Sequence, residues 1–265
     1  PGAPIIPRDE WDFPPYHRWT FQHVREMTPT AEIRRGAGPV MPLPERRLDI
    51  DGVAFEANGR RQTVADYLER SFTDGFLVLS RGDVVMERYM NGMTPDRRHL
   101  GMSVSKSVTS AVFGILVGRG LIDPQAQVTK YLPELERTGY RGAAVQHVLD
   151  MTSGVLFNES YTEHGSHMQQ LGQACGWWEL TRPDWPATVW QLILKLTEQE
   201  RPHGEVFSYR SIETDVLAFI MQRVSGKHLP DLISEELWAP MGAEHDAYIT
   251  VDRGGYALAD GGFNA

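Results

Sequence analysis

Cysteine is almost absent: Cys175 is the only one in 265 residues. One thiol cannot form an intramolecular disulfide, which suits a reducing compartment, so a cytoplasmic protein is expected. Cys175 itself reads as a small buried hydrophobe more readily than as a reactive thiol. Lysine is scarce too. Lys106, Lys130, Lys195 and Lys227 are the only four, within a total of 26 basic residues. Against 35 acidic residues this leaves a formal net charge of −9, which argues against a nucleic-acid surface. No stretch approaches the ~18 consecutive apolar residues of a membrane span, so no membrane role is expected. The first residues (PGAPIIPRDEWDFPPYHRW) carry no basic segment ahead of an apolar run, so they do not read as a secretion signal. Internal repeats and low-complexity tracts are also missing.

What is present divides the chain. About half of its 17 prolines fall in residues 1–50, which read as an irregular arm wrapping the surface. Thr63–Phe72 has helical periodicity. Gly75–Gly92 holds two β-rich runs joined by Ser80-Arg81-Gly82-Asp83, a hairpin signal. Ala111–Val117 is apolar almost throughout, which predicts a helix buried on most sides and ended by Gly118 and Gly120. Ala143–Gly154 predicts a helix closed by Gly154. Asn158–Trp190 shows no period, and a long irregular segment is more often functional than not. Thr188–Gln199, Ser211–Gly226 and Leu229–Gly242 predict three more helices. The second of these has a one-sided stripe at Val216, Leu217, Phe219, Ile220 and Val224. A short strand is expected near Tyr248–Val251. The order predicts an α+β fold: an arm and the first part of an α/β lobe over 1–110, a helical lobe over 111–240, and a return to the α/β lobe over 241–265.

The chemistry centres on "MSVSKSVT". Ser103 and Lys106 lie three residues apart, so on a helix they share a face. At a helix N-terminus Ser103 sits in a positive field that favours an oxyanion. Serine is a weak nucleophile until a base takes its proton. Lysine is that base only when neutral, about three pH units below its ordinary range, and burial against Val108, Val112 and Phe113 would push it that way. The alternative is plain: Ser103 is an N-cap and Lys106 a snorkelling surface residue. A second element, Tyr209-Arg210-Ser211, stands at the mouth of a predicted helix. Tyr209 could relay a proton to a leaving group, with Ser211 holding substrate or lysine, or it could be a core aromatic.

Together "MSVSKSVTSAVFGILVGRGLID", "VTKYLPEL", "VQHVLDMTSG", "GEVFSYRSIETDVLAFIMQRVSGK" and "LWAPMGAE" resemble the serine β-lactamase and penicillin-binding-protein superfamily, in its class C and esterase-like branch. The likeness covers Phe76 to Ala265. "DEWDFPPYHRWTFQHVREMTPTAEI" and "LFNESYTEH…CGWW" resemble an amide-hydrolysing group within it. The resemblance implies a β-lactamase/transpeptidase-like fold, an antiparallel sheet flanked by helices plus a helical lobe. It implies Ser103 as acylated nucleophile, Lys106 as base and Tyr209 as relay. It also implies Tyr161 as a holder of an amide substrate, and Gly172 as a position that grades amide hydrolysis. No metal or organic cofactor is implied, and the assembly it suggests is a homodimer.

One departure matters. The superfamily's late Lys/His-x-Gly strand would follow Ala265, and only the hairpin strands of the sheet are expected within the chain. The chain therefore reads as C-terminally incomplete by roughly 120 residues, with the remainder a separate chain or lost by truncation. The expected activity is acyl transfer on a small linear amide or ester. The alternatives are a carboxylesterase or D-amino-acid peptidase of the same fold, or a non-catalytic sensor or binding module. His164 and His167 lie three apart, but no carboxylate or cysteine completes a zinc pattern. His147 reads as a hydrogen-bonded core or cleft histidine. Trp177, Trp178 and Trp185 read either as the wall of an acyl-chain pocket or as core or dimer surface.

Overall fold

A three-stranded antiparallel sheet is assembled from segments far apart in the chain. The computed structural model describes residues 5–265. In chain order these comprise α1 (His17–Thr20), β1 (Thr30–Ile33), the β2–β3 hairpin (Ala54–Ala57, Arg60–Thr63), α2 (Val64–Arg70) and the β4–β5 hairpin (Gly75–Ser80, Asp83–Tyr89). Then follow α3 (Val104–Gly118), α4 (Val128–Tyr131), α5 (Val145–Leu149), α6 (His167–Ala174), α7 (Val189–Lys195), α8 (Ile212–Ser225) and α9 (Leu229–Ile233). The described chain closes with β6 (Ala247–Thr250) and β7 (Phe263–Asn264). The sheet order is β1-β6-β7, with Thr30 opposite Thr250 and Ile249 opposite Phe263. All four residues of β6 are buried, so it is the sheet's covered centre.

Two local rules shape these elements, the second of them expected. Thr63 caps α2 by accepting the Asp66 N–H, while Asp66 accepts the Thr63 N–H, a reciprocal capping box. The β4–β5 turn places Arg81 and Gly82 at positive φ, the pairing that matches strand twist.

Six expectations need correction. The arm is not purely irregular: it contributes β1 to the central sheet, and the Trp11 indole N–H is buried against the Trp177 carbonyl at 2.8 Å. The sheet is therefore not limited to the hairpin strands. Helix α3 is buried on one face only, through Ser105, Thr109, Val112, Phe113 and Leu116, while Ala111 and Gly114 face outward. Conversely α8 is buried almost all round over its first ten residues, because α3, α4, α5, α7 and α9 pack about it. Helix α5 stops at Leu149, well before Gly154. Within the segment expected to be irregular lies α6, capped by Ser166 accepting the Gln169 N–H, with the Leu171 side chain buried.

A buried polar network lies at the start of α8. Arg210 is wholly buried; it donates to Glu200 at 2.6 Å and lies 3.9 Å from Glu213. Ser153 donates to Glu213. Burial pushes the Glu213 carboxyl up to about 8, with Ser153 and Arg210 offsetting only part of the desolvation. In the unfolded chain the same carboxyl ionises near about pH 4.3. Between those values the unfolded chain has released a proton that the folded chain keeps, so this group's contribution to stability is lost as pH rises. Glu213→Gln cannot titrate. Its stability relative to the parent should therefore improve from about pH 5 to about pH 8, by roughly 2–5 kcal/mol. Urea denaturation across that range measures it, and a pH-independent difference would show Glu213 ionised throughout.

Candidate active site

The segment entering α3 runs beside β7. Gly101 donates its N–H to the Phe263 carbonyl at 2.8 Å, and Leu100 bridges to Asn264. The chain then turns through Met102, a non-glycine residue at φ +44°, before the helix begins. Ser103 stands at that corner, exposed at the positive end of α3. Its own N–H has no acceptor among the described residues. Lys106, one turn on, is held over it: Nζ donates to Ser103 Oγ at 3.1 Å and to the Asp260 carbonyl at 2.9 Å. The opposite wall comes from the segment before α8, which is tied down by Ser208 N–H donating to the Met151 carbonyl at 2.9 Å. From it the Tyr209 hydroxyl donates to Ser103 Oγ at 3.0 Å. Two side chains, one from the next turn of α3 and one from the segment before α8, thus converge on the Ser103 oxygen.

Lys106 is mostly buried, but its surroundings differ from the apolar ones expected. Its nitrogen lies 3.6 Å from Asp260 Oδ2 and 5.1 Å from the centre of the Tyr209 ring. Burial pulls the amine down, yet Asp260 and Tyr209 more than offset it, and the ammonium is held above its ordinary range. The expected direction is therefore reversed. The reason is that Val112 and Phe113 face the core while Nζ crosses to the other side of the cleft.

Ser211 and Tyr161 are brought together, but through a residue not singled out in the sequence. Glu159 accepts from Ser211 N at 2.9 Å, from Ser211 Oγ at 2.5 Å and from the Tyr161 hydroxyl at 3.1 Å. Burial raises Glu159, with those three donors working against it. Tyr161, half exposed, is pushed up to about 12 by burial and by the neighbouring Glu159. A cavity of about 220 Å³ opens on Ser103 and is lined by Tyr161, Gly172, Trp177, Trp178, Asp12 and Asp260, with others. A larger hollow of about 560 Å³ beside the β4–β5 hairpin contains none of the converging residues. Trp177 is buried and donates to Thr250 Oγ1 at 3.1 Å, and Trp178 donates to Asp12 at 3.1 Å. Trp185 stands apart, beside Arg182. Cys175 is buried and its thiol is pushed up by that burial. His147 accepts the Ala144 N–H at 3.2 Å and stacks near His203. No cluster of three metal-ligating side chains occurs among the described residues, and no helix is long and apolar enough to cross a membrane.

The sequence profile of the Beta-lactamase family matches residues 60–262. A curated relative, the 6-aminohexanoate-dimer hydrolase of Paenarthrobacter ureafaciens, is 40% identical over 262 residues, which is 98% of this chain and 64% of that protein. The chain thus spans less than two thirds of that relative's length. A Bacillus anthracis structure provisionally named 6-aminohexanoate-dimer hydrolase superposes with a TM-score of 0.92 at 28% identity, covering 100% of this chain and 69% of the other. A class C beta-lactamase superposes with a TM-score of 0.56 at 17% identity over 76% of this chain and 58% of its own, a likeness of fold alone. The expected β-lactamase-like α+β fold is the observed one.

Gly172 lines the cavity, and the Trp178 ring lies against it. A Cβ there would fall 2.5 Å from Trp178 Cε3 and 2.7 Å from Cζ3. Gly172→Ala should therefore dislodge Trp178 from Asp12 and from its stack on Phe13. The expected result is a red-shifted tryptophan emission and a loss of about 1–3 kcal/mol in denaturation. Unchanged emission and stability would show that the ring has room to spare.

Proposed function

This chain belongs to the beta-lactamase family, and on that premise we propose that it acts as a serine hydrolase on small linear amides or esters. The observation that carries the reading is the convergence of Lys106 Nζ and Tyr209 Oη on Ser103 Oγ, at 3.1 and 3.0 Å. In this reading a neutral Lys106 takes the Ser103 proton and the oxygen attacks the substrate carbonyl. The oxyanion develops at the α3 N-terminus, beside the unused Ser103 N–H. Tyr209 then passes the proton to the leaving group, and the same groups activate water to release the acyl-enzyme. A binding module has no use for a lysine and a tyrosine aimed at one serine oxygen, since recognition needs no activated hydroxyl.

The relative's name, 6-aminohexanoate-dimer hydrolase, suggests a linear amide as substrate. The cavity beside Ser103, walled by Met168, Leu171, Trp177, Trp178 and Leu258, is the place for an extended acyl chain. One observation favours the esterase alternative: the Tyr161 hydroxyl already donates to Glu159 and must turn away before it can serve an amide nitrogen. The homodimer and the cytoplasmic setting remain part of this reading, supported by the resemblance and by the lone cysteine.

Ser103 and Ser105 both flank Lys106, and the reading separates them. Ser105 is buried, donating to the Met102 carbonyl at 2.6 Å and accepting the Phe263 N–H at 3.0 Å. Ser103→Ala should abolish turnover of a short p-nitrophenyl ester at unchanged stability. Ser105→Ala should lower stability by about 1–3 kcal/mol, through an unsatisfied buried N–H, while keeping much of the turnover. Comparable residual activity in the two variants would sink the nucleophile assignment.

Tyr161 and Tyr209 separate amide from ester chemistry. An amide nitrogen needs a proton or a hydrogen bond as it departs, and a p-nitrophenolate does not. Tyr161→Phe should lower kcat/KM for an aminohexanoate dimer by about 10- to 100-fold, roughly 1.4–2.7 kcal/mol, and barely change the ester value. Tyr209→Phe should lower both. Equal losses on both substrates for Tyr161→Phe would make Tyr161 a structural loop residue.

A further inference from the structure

Behind Lys106 lie two carboxyl groups that the proposed mechanism does not use. Asp260 sits in the turn leading to β7, with Oδ2 3.6 Å from Lys106 Nζ. Asp215 sits in the first turn of α8 and accepts the Ala259 N–H at 2.9 Å, which places its carboxyl beside Asp260. Both side chains are almost wholly buried. Each has one oxygen, Asp215 Oδ2 and Asp260 Oδ1, that is sealed from solvent with no hydrogen-bond partner. A buried carboxylate oxygen without a donor is costly, and two neighbouring carboxylates against one lysine leave an uncompensated charge. A single proton held between the two groups removes both difficulties.

We propose that Asp215 and Asp260 form a buried carboxyl pair carrying one negative charge, and that where this charge sits sets how much of Lys106 is the neutral amine. The proposal rests on the reading of Ser103 as nucleophile and Lys106 as base. When the charge is on Asp260, 3.6 Å away, the ammonium is favoured. When the Lys106 proton passes from Nζ to Asp260 Oδ2, the pair holds two protons and the Nζ lone pair is free to take the Ser103 proton. No net charge enters or leaves the cleft in that step. Burial raises both acids; mutual repulsion adds to the effect on Asp215, while Lys106 offsets part of it on Asp260. The other titratable groups facing the pair are Tyr209 from the wall before α8, Glu159 from the loop after α5, Cys175 from the end of α6, and Tyr140. Burial raises Glu159, Cys175 and Tyr140. Asp215 and Asp260 are positioning residues, acting on the reaction through Lys106.

The arrangement makes opposite demands on two isosteric substitutions. Asp260→Asn leaves any charge on the more distant Asp215, so the lysine should lose its proton at lower pH. Asp215→Asn removes the repelling neighbour and confines the charge to Asp260, so the lysine should lose its proton at higher pH. Asn at 215 keeps an oxygen for the Ala259 N–H. The probe is the rate of Ser103 labelling by a fluorophosphonate, followed by mass spectrometry from about pH 5 to about pH 10 on the intact protein. This needs acylation but not turnover. The expected result is a midpoint displaced downward by at least about tenfold in proton activity for Asp260→Asn and upward for Asp215→Asn. Unmoved midpoints with lowered plateaus, or shifts of the same sign, would overturn the pair. If Asp215→Asn does not fold, the direction of the Asp260→Asn shift decides alone. A parent protein that is not labelled at Ser103 would instead overturn the reading of the site, and the pair's role with it.

Discussion

Four hydrogen bonds tie the start of α3 to residues 259–263, and the candidate site depends on them. Gly101 N–H reaches the Phe263 carbonyl, Phe263 N–H reaches Ser105 Oγ, Lys106 Nζ reaches the Asp260 carbonyl and Thr109 Oγ1 reaches the Ala259 carbonyl, all within 2.8–3.0 Å. They fix the helix in rotation, so that Ser103 faces the cleft, and in height, so that Lys106 meets the turn before β7. They also hold Met102 in a left-handed conformation that a free chain would leave. The turn is equally constrained from behind. A Cβ on Gly262 would fall 2.9 Å from the Leu258 carbonyl oxygen and closer still to Thr250 Oγ1, so only glycine lets the chain pass under β6. The nucleophile's corner and the sheet's edge are one rigid piece.

The facing wall is rigid for a different reason. Helix α8 is enclosed by five neighbouring helices, and the residues before it are anchored by Arg210, which reaches Glu200 and the Ser208 carbonyl. Tyr209 adjoins that anchored residue in the chain and presents its hydroxyl to Ser103 at 3.0 Å. Glu159 then bridges Ser211 at the mouth of α8 to Tyr161 on the active-site loop. The chain's acidic surplus is thus carried inward as well as outward. Glu159, Glu213, Asp215 and Asp260 are all raised by burial. Each of these carboxyls gives up its proton less readily than a solvated one, which ties the interior's behaviour to pH more closely than a hydrocarbon wall would.

What the sequence disclosed was local. The Ser103–Lys106 spacing and the Ser80–Asp83 turn each need only a few consecutive residues, and each is found in place. What it hid was partnership at long range. β1 pairs with a strand more than two hundred residues away, and nothing in Thr30–Ile33 announces that partner. Lys106 is flanked in sequence by apolar residues, so its charge balance was misread; its nitrogen answers to Asp260, 154 residues on. Glu159 and Asp215 gave no signal at all, since a carboxylate in a loop or on a helix is ordinarily a solvated one. Helix α6 was missed because its residues are mostly polar, although Ser166 ahead of Gln169 was a legible cap.

The two halves of the site also differ in how they are shared with relatives. The family profile matches residues 60–262, a span that holds Ser103, Lys106, Tyr209, Asp215 and Asp260. The cavity beside Ser103 is closed in part from outside that span, by Asp12 and Phe13 of the arm. Trp11 fixes the arm there, its indole N–H on the Trp177 carbonyl and its ring edge-on to Trp177 at 5.1 Å. Asp12 and Phe13 then brace Trp178, which rests on Gly172. The Paenarthrobacter ureafaciens relative is matched over 98% of this chain, arm included. The converging residues therefore lie inside the span the profile matches, while the wall of the cavity is completed by a segment beyond it, so a change in the arm can reshape the cavity without touching Ser103, Lys106 or Tyr209.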